Sequence, residues 1–168
     1  LPLGTTFREL IFEHGGGIPD GKAIKAIMAA GASSSLIIAN DEALDTPMDY
    51  ESVTDVGGAL GSASVIVIDE SVSIDWVLRK TLHFFSHESC GKCTPCREGT
   101  FWMRHLIDRI HDGKAGWSDV ELLNEVALQI QGKCLCALGE FSIEAVTSGI
   151  ERFESDFRAK AASSPVEE

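Results

Sequence analysis

Glu88-Ser-Cys-Gly-Lys-Cys-Thr-Pro-Cys-Arg-Glu-Gly-Thr100 sets Cys90, Cys93 and Cys96 at strict two-residue gaps. Two more cysteines stand downstream in Gly132-Lys-Cys-Leu-Cys-Ala-Leu-Gly139. Thiolates at C-x2-C-x2-C spacing with one remote partner suit a cubane iron–sulfur cluster. The short loop curls around one face, and the distant cysteine closes the fourth corner. Its backbone N–H groups then reach the cluster sulfurs and tune them. Gly91 keeps the turn uncluttered, and Pro95 stiffens it and removes one N–H. Spacing does not decide whether Cys134 or Cys136 is the fourth ligand.

Two other chemistries compete for these residues. Structural zinc sites pair cysteines as separate C-x2-C units or mix them with histidine, which three evenly spaced cysteines suit poorly. Redox C-x-x-C chemistry matches Cys90–Cys93 and Cys93–Cys96, but no strand precedes them as in a thioredoxin-like site. His83, His87, His105 and His111 read as helix-surface or supporting side chains rather than ligands.

Outward from the loop, the pattern is helical. Ile74, Val77, Leu78, Leu82 and Phe85 share one face, with Ser73 as cap. A second helix runs from Cys96 to about His111, with Phe101, Met103, Leu106, Ile107 and Ile110 apolar. Ser118-x-x-Glu121 reads as a capping box, with Trp117 and Leu122 as a hydrophobic staple. It opens a third helix that ends near Gln131, with Gly132 after its cap. A fourth helix is predicted over Ser142–Ala161. Residues 71–161 thus read as an antiparallel four-helix bundle, and 162–168 as a tail.

The first seventy residues are of another kind. Thr6-x-x-Glu9 is a capping box before a short helix over Phe7–His14, which places Phe7, Leu10 and Ile11 on one face. Gly15-Gly-Gly17 stops it. No phosphate loop is implied, because no P-loop lysine and no helix follow. Ala23–Ala29 reads as a strand, 31–35 as a loop followed by the short apolar run Leu36–Ile38, and Asn40–Pro47 as polar and turn-like. Asp49 caps a short helix through Val56, and Ser64–Asp69 is the clearest strand. The fold class is α+β: a small α+β unit over 1–70, then an all-α metal-binding unit.

Composition narrows the partners. The net charge of −12 argues against nucleic acid. Acidic residues outnumber basic ones 11 to 3 over residues 1–70, so the cysteine half is the less acidic one. There Lys92, Arg97 and Lys133 make sense beside an anionic cluster, or as ordinary surface charges. All five cysteines fall in that half, which fits metal ligation in a reducing compartment better than a disulfide framework. No run of eighteen apolar residues is present, so no membrane insertion is expected. The chain opens on Leu1 rather than Met and reads as a piece of a longer protein.

With ESCGKCTPCREGT and, downstream, CALGE, the sequence closely resembles the NADH-binding flavoprotein subunit of respiratory complex I. Flavoprotein subunits of NAD-linked hydrogenases and formate dehydrogenases share the module. LPLGTTFRELI, MDYESV and GSASVIVIDE extend the likeness upstream, into that family's soluble-ligand-binding β-grasp domain. The resemblance implies one [4Fe-4S] cluster held by Cys90, Cys93, Cys96 and Cys136. Cys134 departs from the family pattern and reads as a small buried neighbour, with a ligand swap as the alternative. FMN and NAD(H) belong to a glycine-rich domain that precedes the β-grasp domain in the family and has no match here. The implied role is electron transfer from NADH through FMN to the cluster. The implied partners are that N-terminal domain and a neighbouring iron–sulfur subunit. The implied location is cytoplasmic, or a peripheral arm on the cytoplasmic or matrix face of a membrane. By itself the chain is expected to pass electrons but not to oxidise NADH. A reading of another class is a metal-stapled assembly or ligand-binding module without redox work.

Overall fold

In the computed structural model, which describes residues 1–161, the chain divides into two compact units, Leu1–Val72 and a second beginning at Ser73. Helices and a small antiparallel sheet make it an α+β protein.

The first unit is built on a three-stranded antiparallel sheet with β1 (Ile24–Ala32) between β2 (Ile37–Ile38) and β3 (Ile66–Asp69). Ile27 stands opposite Ile37 on one side and Val67 on the other. A register shift between Ile24 and Ala26 marks a bulge on the β3 side. Residues 26–31 of β1 are buried without interruption, so both faces of this central strand are covered. Ile27 and Ala29 join Phe7, Ile11, Ile37, Val53 and Leu60 in one core.

The Thr6–Glu9 capping box forms: Glu9 Oε2 accepts from Thr6 N at 2.9 Å, and Thr6 Oγ1 accepts from Glu9 N at 3.1 Å. The chain is helical over the predicted Phe7–His14, and from Glu9 to His14 it winds as a wide-turn π-helix. Gly15 N reaches back to Leu10 O at 2.8 Å. A Cβ on Gly15 would stand 2.8 Å from Ile11 O, so the wide turn closes on a residue without one. Phe7 and Ile11 are buried as expected, while Leu10 is only half-buried.

Two short helices follow. The Asn40–Pro47 stretch, expected to be turn-like, holds α1 (Asp41–Leu44), because Asn40 Oδ1 accepts from Ala43 N at 2.8 Å. Asp49 caps α2 (Tyr50–Asp55) as predicted, with Oδ1 accepting from Ser52 N at 2.7 Å. Replacing Asp49 with alanine should cost about 1 kcal/mol, visible as a lower thermal midpoint for this unit.

Among the described residues, the second unit contains helices and no strand. Its elements are α3 (Ile74–Glu88), α4 (Thr94–His111), α5 (Trp117–Ile130), α6 (Leu138–Arg152) and α7 (Glu154–Ala161). Consecutive helices pack on one another, α3 also meets α6, and α7 touches all four. Leu78, Leu82, Met103 and Ile107 are buried as expected, and Leu123, Ile143, Val146 and Phe157 complete the core, while Leu106 is only half-buried.

Several predicted details differ. Five helices replace the four expected among the described residues. The predicted Ser142–Ala161 helix starts at Leu138 and breaks at Phe153, which leaves helical geometry at φ −127°, ψ 36°. Phe153 and Phe157 both stay buried across that break. Helix α4 starts two residues before Cys96, with Pro95 in its first turn, where a missing N–H costs nothing. Phe101 is off the buried face and 46% exposed. The Ser118–Glu121 box does not form. Gly116 caps α5, its N–H donating to Asp119 Oδ2 at 2.9 Å, and Glu121 instead accepts from Trp117 Nε1 at 3.1 Å. Leu122 is exposed and Trp117 stacks under the Arg158 guanidinium, so neither forms the expected staple. Ser73 sits at the α3 cap, but Ile74 N donates to Asp156 Oδ2, 2.9 Å away and 82 residues later. Gly132 follows the α5 cap with φ +69°, as predicted. The tail expected at 162–168 lies outside the described residues.

Helices α3 and α4 are tied by Asp108, which accepts from Arg79 Nε at 2.6 Å and lies 2.8 Å from His83 Nε2. Burial alone would raise the Asp108 carboxyl, but the hydrogen bonds from Arg79 and His83 outweigh it and hold the group below the usual carboxylate range. A depressed folded-state value gives stability that is present above about pH 4 and lost as the pH falls through it. Urea midpoints at pH 5 and pH 3 should therefore drop more for the natural chain than for Asp108→Asn.

Among the described residues, no helix is long and apolar enough to cross a membrane.

Candidate metal centre

Helix α3 ends at Glu88, and the chain turns through Ser89–Lys92 into α4. Gly91 takes φ +75°, a left-handed conformation that favours glycine. Arg97, one turn into α4, reaches back to donate from Nη1 to Gly91 O at 2.7 Å. Ser89 Oγ accepts from Gly91 N at 3.4 Å and lies 3.3 Å from Cys96 Sγ. The loop is thus braced from both ends before any ligand is considered.

Each cysteine has its own setting. Cys93 is the N-cap of α4, and Cys96, in that helix's first turn, is buried. Thr100 Oγ1 donates to Cys96 O at 2.7 Å. Cys90 is exposed at the start of the loop. Across from it, Gly132–Ala137 joins α5 to α6. Leu135 N donates to Cys93 Sγ at 3.3 Å, which brings that turn against the three-cysteine loop. Cys136 is exposed, one residue before the α6 N-cap Ala137. Two helix starts therefore meet at the thiols, and helix starts present unpaired N–H groups to anionic groups.

Cys134 is half-buried and packs onto Gly139: a Cβ there would stand 2.5 Å from Cys134 Sγ. Burial pushes the Cys134 thiol up, and the neighbouring Cys96, Cys93, Glu140 and Cys136 push it the same way. Gly139→Ala would gain roughly 0.5–1 kcal/mol in helix propensity, but it meets a packed thiol and Ile130. The overpacking cost of about 1–3 kcal/mol wins. The expected result is a lower melting temperature and a displaced Cys134, read as faster thiol alkylation.

Two of the basic residues beside the loop have structural partners. Arg97 braces Gly91 and pairs with Glu98, and Lys133 donates to Gln129. The four histidines expected not to ligate bond or pack elsewhere: His83 with Asp108, His87 with Glu88, His105 on Phe101 and His111 with Asp75. Neither the Arg97–Gly91 brace nor the Cys134–Gly139 contact was anticipated. The signal for the second was a cysteine spaced five residues before a glycine.

The donor set fits an iron–sulfur cluster. Thiols are its natural ligands, an N–H already points at one of the thiols, and the thiols lie on two separate turns. Among the described residues, no three His, Cys, Asp or Glu side chains converge as ligands of a single metal ion. A cube of four irons spreads its thiolates over four corners.

Fold and donor set define a helical module for a cysteine-ligated cluster. Residues 76–160 match the NADH-ubiquinone oxidoreductase-F iron-sulfur binding region, and the chain belongs to that family. It is 39% identical over 158 residues to the NADH-quinone oxidoreductase F subunit of Mycobacterium bovis, covering 94% of this chain and 35% of that protein. It is 36% identical to the NADP-reducing hydrogenase subunit HndC of Solidesulfovibrio fructosivorans, covering 95% of this chain and 32% of the relative. The crystal structure of an air-oxidized NAD+-reducing [NiFe]-hydrogenase superposes with a TM-score of 0.82 at 26% identity, over 95% of this chain and 26% of that one. The chain spans about a third of the length of the curated relatives it matches.

Proposed function

We propose that the chain is an electron-transfer module in which Cys90, Cys93, Cys96 and Cys136 hold one [4Fe-4S] cluster. The observation that carries this is the hydrogen bond from Leu135 N to Cys93 Sγ, which sets the Cys134–Cys136 turn against the three-cysteine loop. When bound, the cluster takes up and releases one electron at a time. The residues around it hold and insulate it: Arg97 fixes Gly91 O, Ser89 stands beside Cys96 Sγ, and the starts of α4 and α6 offer N–H groups to the anionic site.

In this reading residues 1–70 are a β-grasp domain and 71–161 a four-helix bundle with α7 laid across it. The parent protein oxidises NADH at an FMN carried by a domain preceding this one, and the module passes those electrons to an iron–sulfur subunit beside it. The parent would then act in the cytoplasm or as a peripheral arm on the cytoplasmic or matrix face of a membrane. NADH-quinone oxidoreductase relatives at up to 39% identity support a quinone-linked complex. The fold likeness to an NAD+-reducing hydrogenase supports the flavoprotein subunit of such an enzyme as the second reading. The genes beside the parent gene discriminate the two.

Anaerobic reconstitution with iron and sulfide tests the cluster itself. About four irons and four acid-labile sulfides per chain, with a paramagnetic signal on reduction, are expected. A purified chain that holds one zinc and no iron ends the proposal.

A further inference from the structure

We infer that Cys134 is a reserve ligand, placed to take the fourth iron when Cys136 is lost. This rests on the cluster assignment above. The Gly132–Ala137 turn carries two thiols in different settings. Cys136 is exposed, whereas Cys134, the inner thiol in the sense of burial, is half-buried against Gly139.

The inner thiol is held there by its surroundings. Its Sγ lies against Gly139, in space that any Cβ at that position would occupy, and Ile130 lines the same corner. Ile130 also packs on Gly99, one turn after the buried ligand Cys96. Leu135, the residue between the two thiols, donates its N–H to Cys93 Sγ at 3.3 Å. The turn is therefore pinned to the ligand loop at its middle, with one cysteine on each side of the pin. The two sulfurs share one short turn, so a move of that turn alone exchanges one for the other once the Cys134–Gly139 packing is given up. A cubane needs only one thiolate per iron, so a second thiol within the same turn substitutes without a change of ligand chemistry.

The test reconstitutes four chains anaerobically: the natural sequence, C134A, C136A and C134A/C136A. Alanine is used because serine can itself ligate iron. The readouts are iron and sulfide per chain and the spectrum of the reduced and oxidised cluster. C136A is expected to keep about four irons and a reduced-state signal with shifted line positions. C134A is expected to match the natural chain, and the double variant to hold no four-iron cluster. A C136A chain that yields only a three-iron signal or no cluster, folded or not by circular dichroism, overturns the inference while the natural chain upholds the cluster assignment. A natural chain without a four-iron cluster overturns both.

Discussion

Cys93→Ala is expected to lower the iron content of the reconstituted chain from about four per molecule to at most about one. It should also abolish the paramagnetic signal of the reduced state. The effect exceeds the loss of one ligand because Cys93 has three tasks. It is a proposed ligand, it forms the N-cap of α4, and its sulfur accepts the Leu135 N–H. Without that acceptor the distal turn is no longer held to the loop. Cys134 cannot stand in here, because the hydrogen bond that brings it close is the one removed. Iron analysis and reduced-state spectroscopy on C93A beside C134A check this. A C93A chain with nearly full iron would remove Cys93 from the ligand set. Full helicity together with lost iron would assign the residue to the cluster alone, and lost folding with no redox signal even in the natural chain would favour the non-redox assembly module.

His111→Ala is expected to destabilise the helical unit by about 2–3 kcal/mol, which corresponds to roughly 10–20 °C in melting temperature for a unit of this size. Asp75, in the first turn of α3, has a fully buried side chain, and its Oδ2 is 2.5 Å from His111 Nδ1 at the end of α4. Lys160 Nζ on α7 is the next cation, 3.8 Å from the same oxygen, while Oδ1 has no hydrogen-bond partner among the described residues. Removing the imidazole leaves a buried carboxylate with one distant partner. The cost falls below the about 3–5 kcal/mol of a fully enclosed pair because the His111 side chain keeps 24% exposure. His111→Asn restores a donor near the Nδ1 position and should recover part of the loss. Thermal denaturation of the three chains measures it, and a shift of under about 3 °C in H111A would show that Asp75 is satisfied by other means.

The parts legible in the sequence were those with a local signature. The Thr6–Glu9 box, the Asp49 cap and Gly132 each depend on residues a few positions apart, and each formed. What stayed hidden depends on residues far apart or on competition between equal local signals. The break at Phe153 is invisible because Ile150, Phe153 and Phe157 continue the helical spacing through it. Gly116–Asp119 and Ser118–Glu121 are both reasonable helix starts, and nothing local ranks them. The Asp156 bond to Ile74 N spans 82 residues. At the centre itself, spacing left Cys134 and Cys136 equal. Their different burial comes from Gly139 and Ile130, which pattern reading does not place.

The hydrogen bond between Leu135 and Cys93 joins positions 42 residues apart, with the α4–α5 hairpin between them. A cluster ligated on both sides of that span is a covalent staple as well as an electron carrier. Closing a loop of that length in the unfolded chain removes entropy equivalent to about 4 kcal/mol by the cross-link relation used for disulfides. The order of synthesis then matters. The three loop thiols emerge from the ribosome first, and the fourth follows only after the hairpin between them has been made. On the proposed ligand set, a cluster delivered early would meet an incomplete cage, so insertion would follow the folding of α4 and α5.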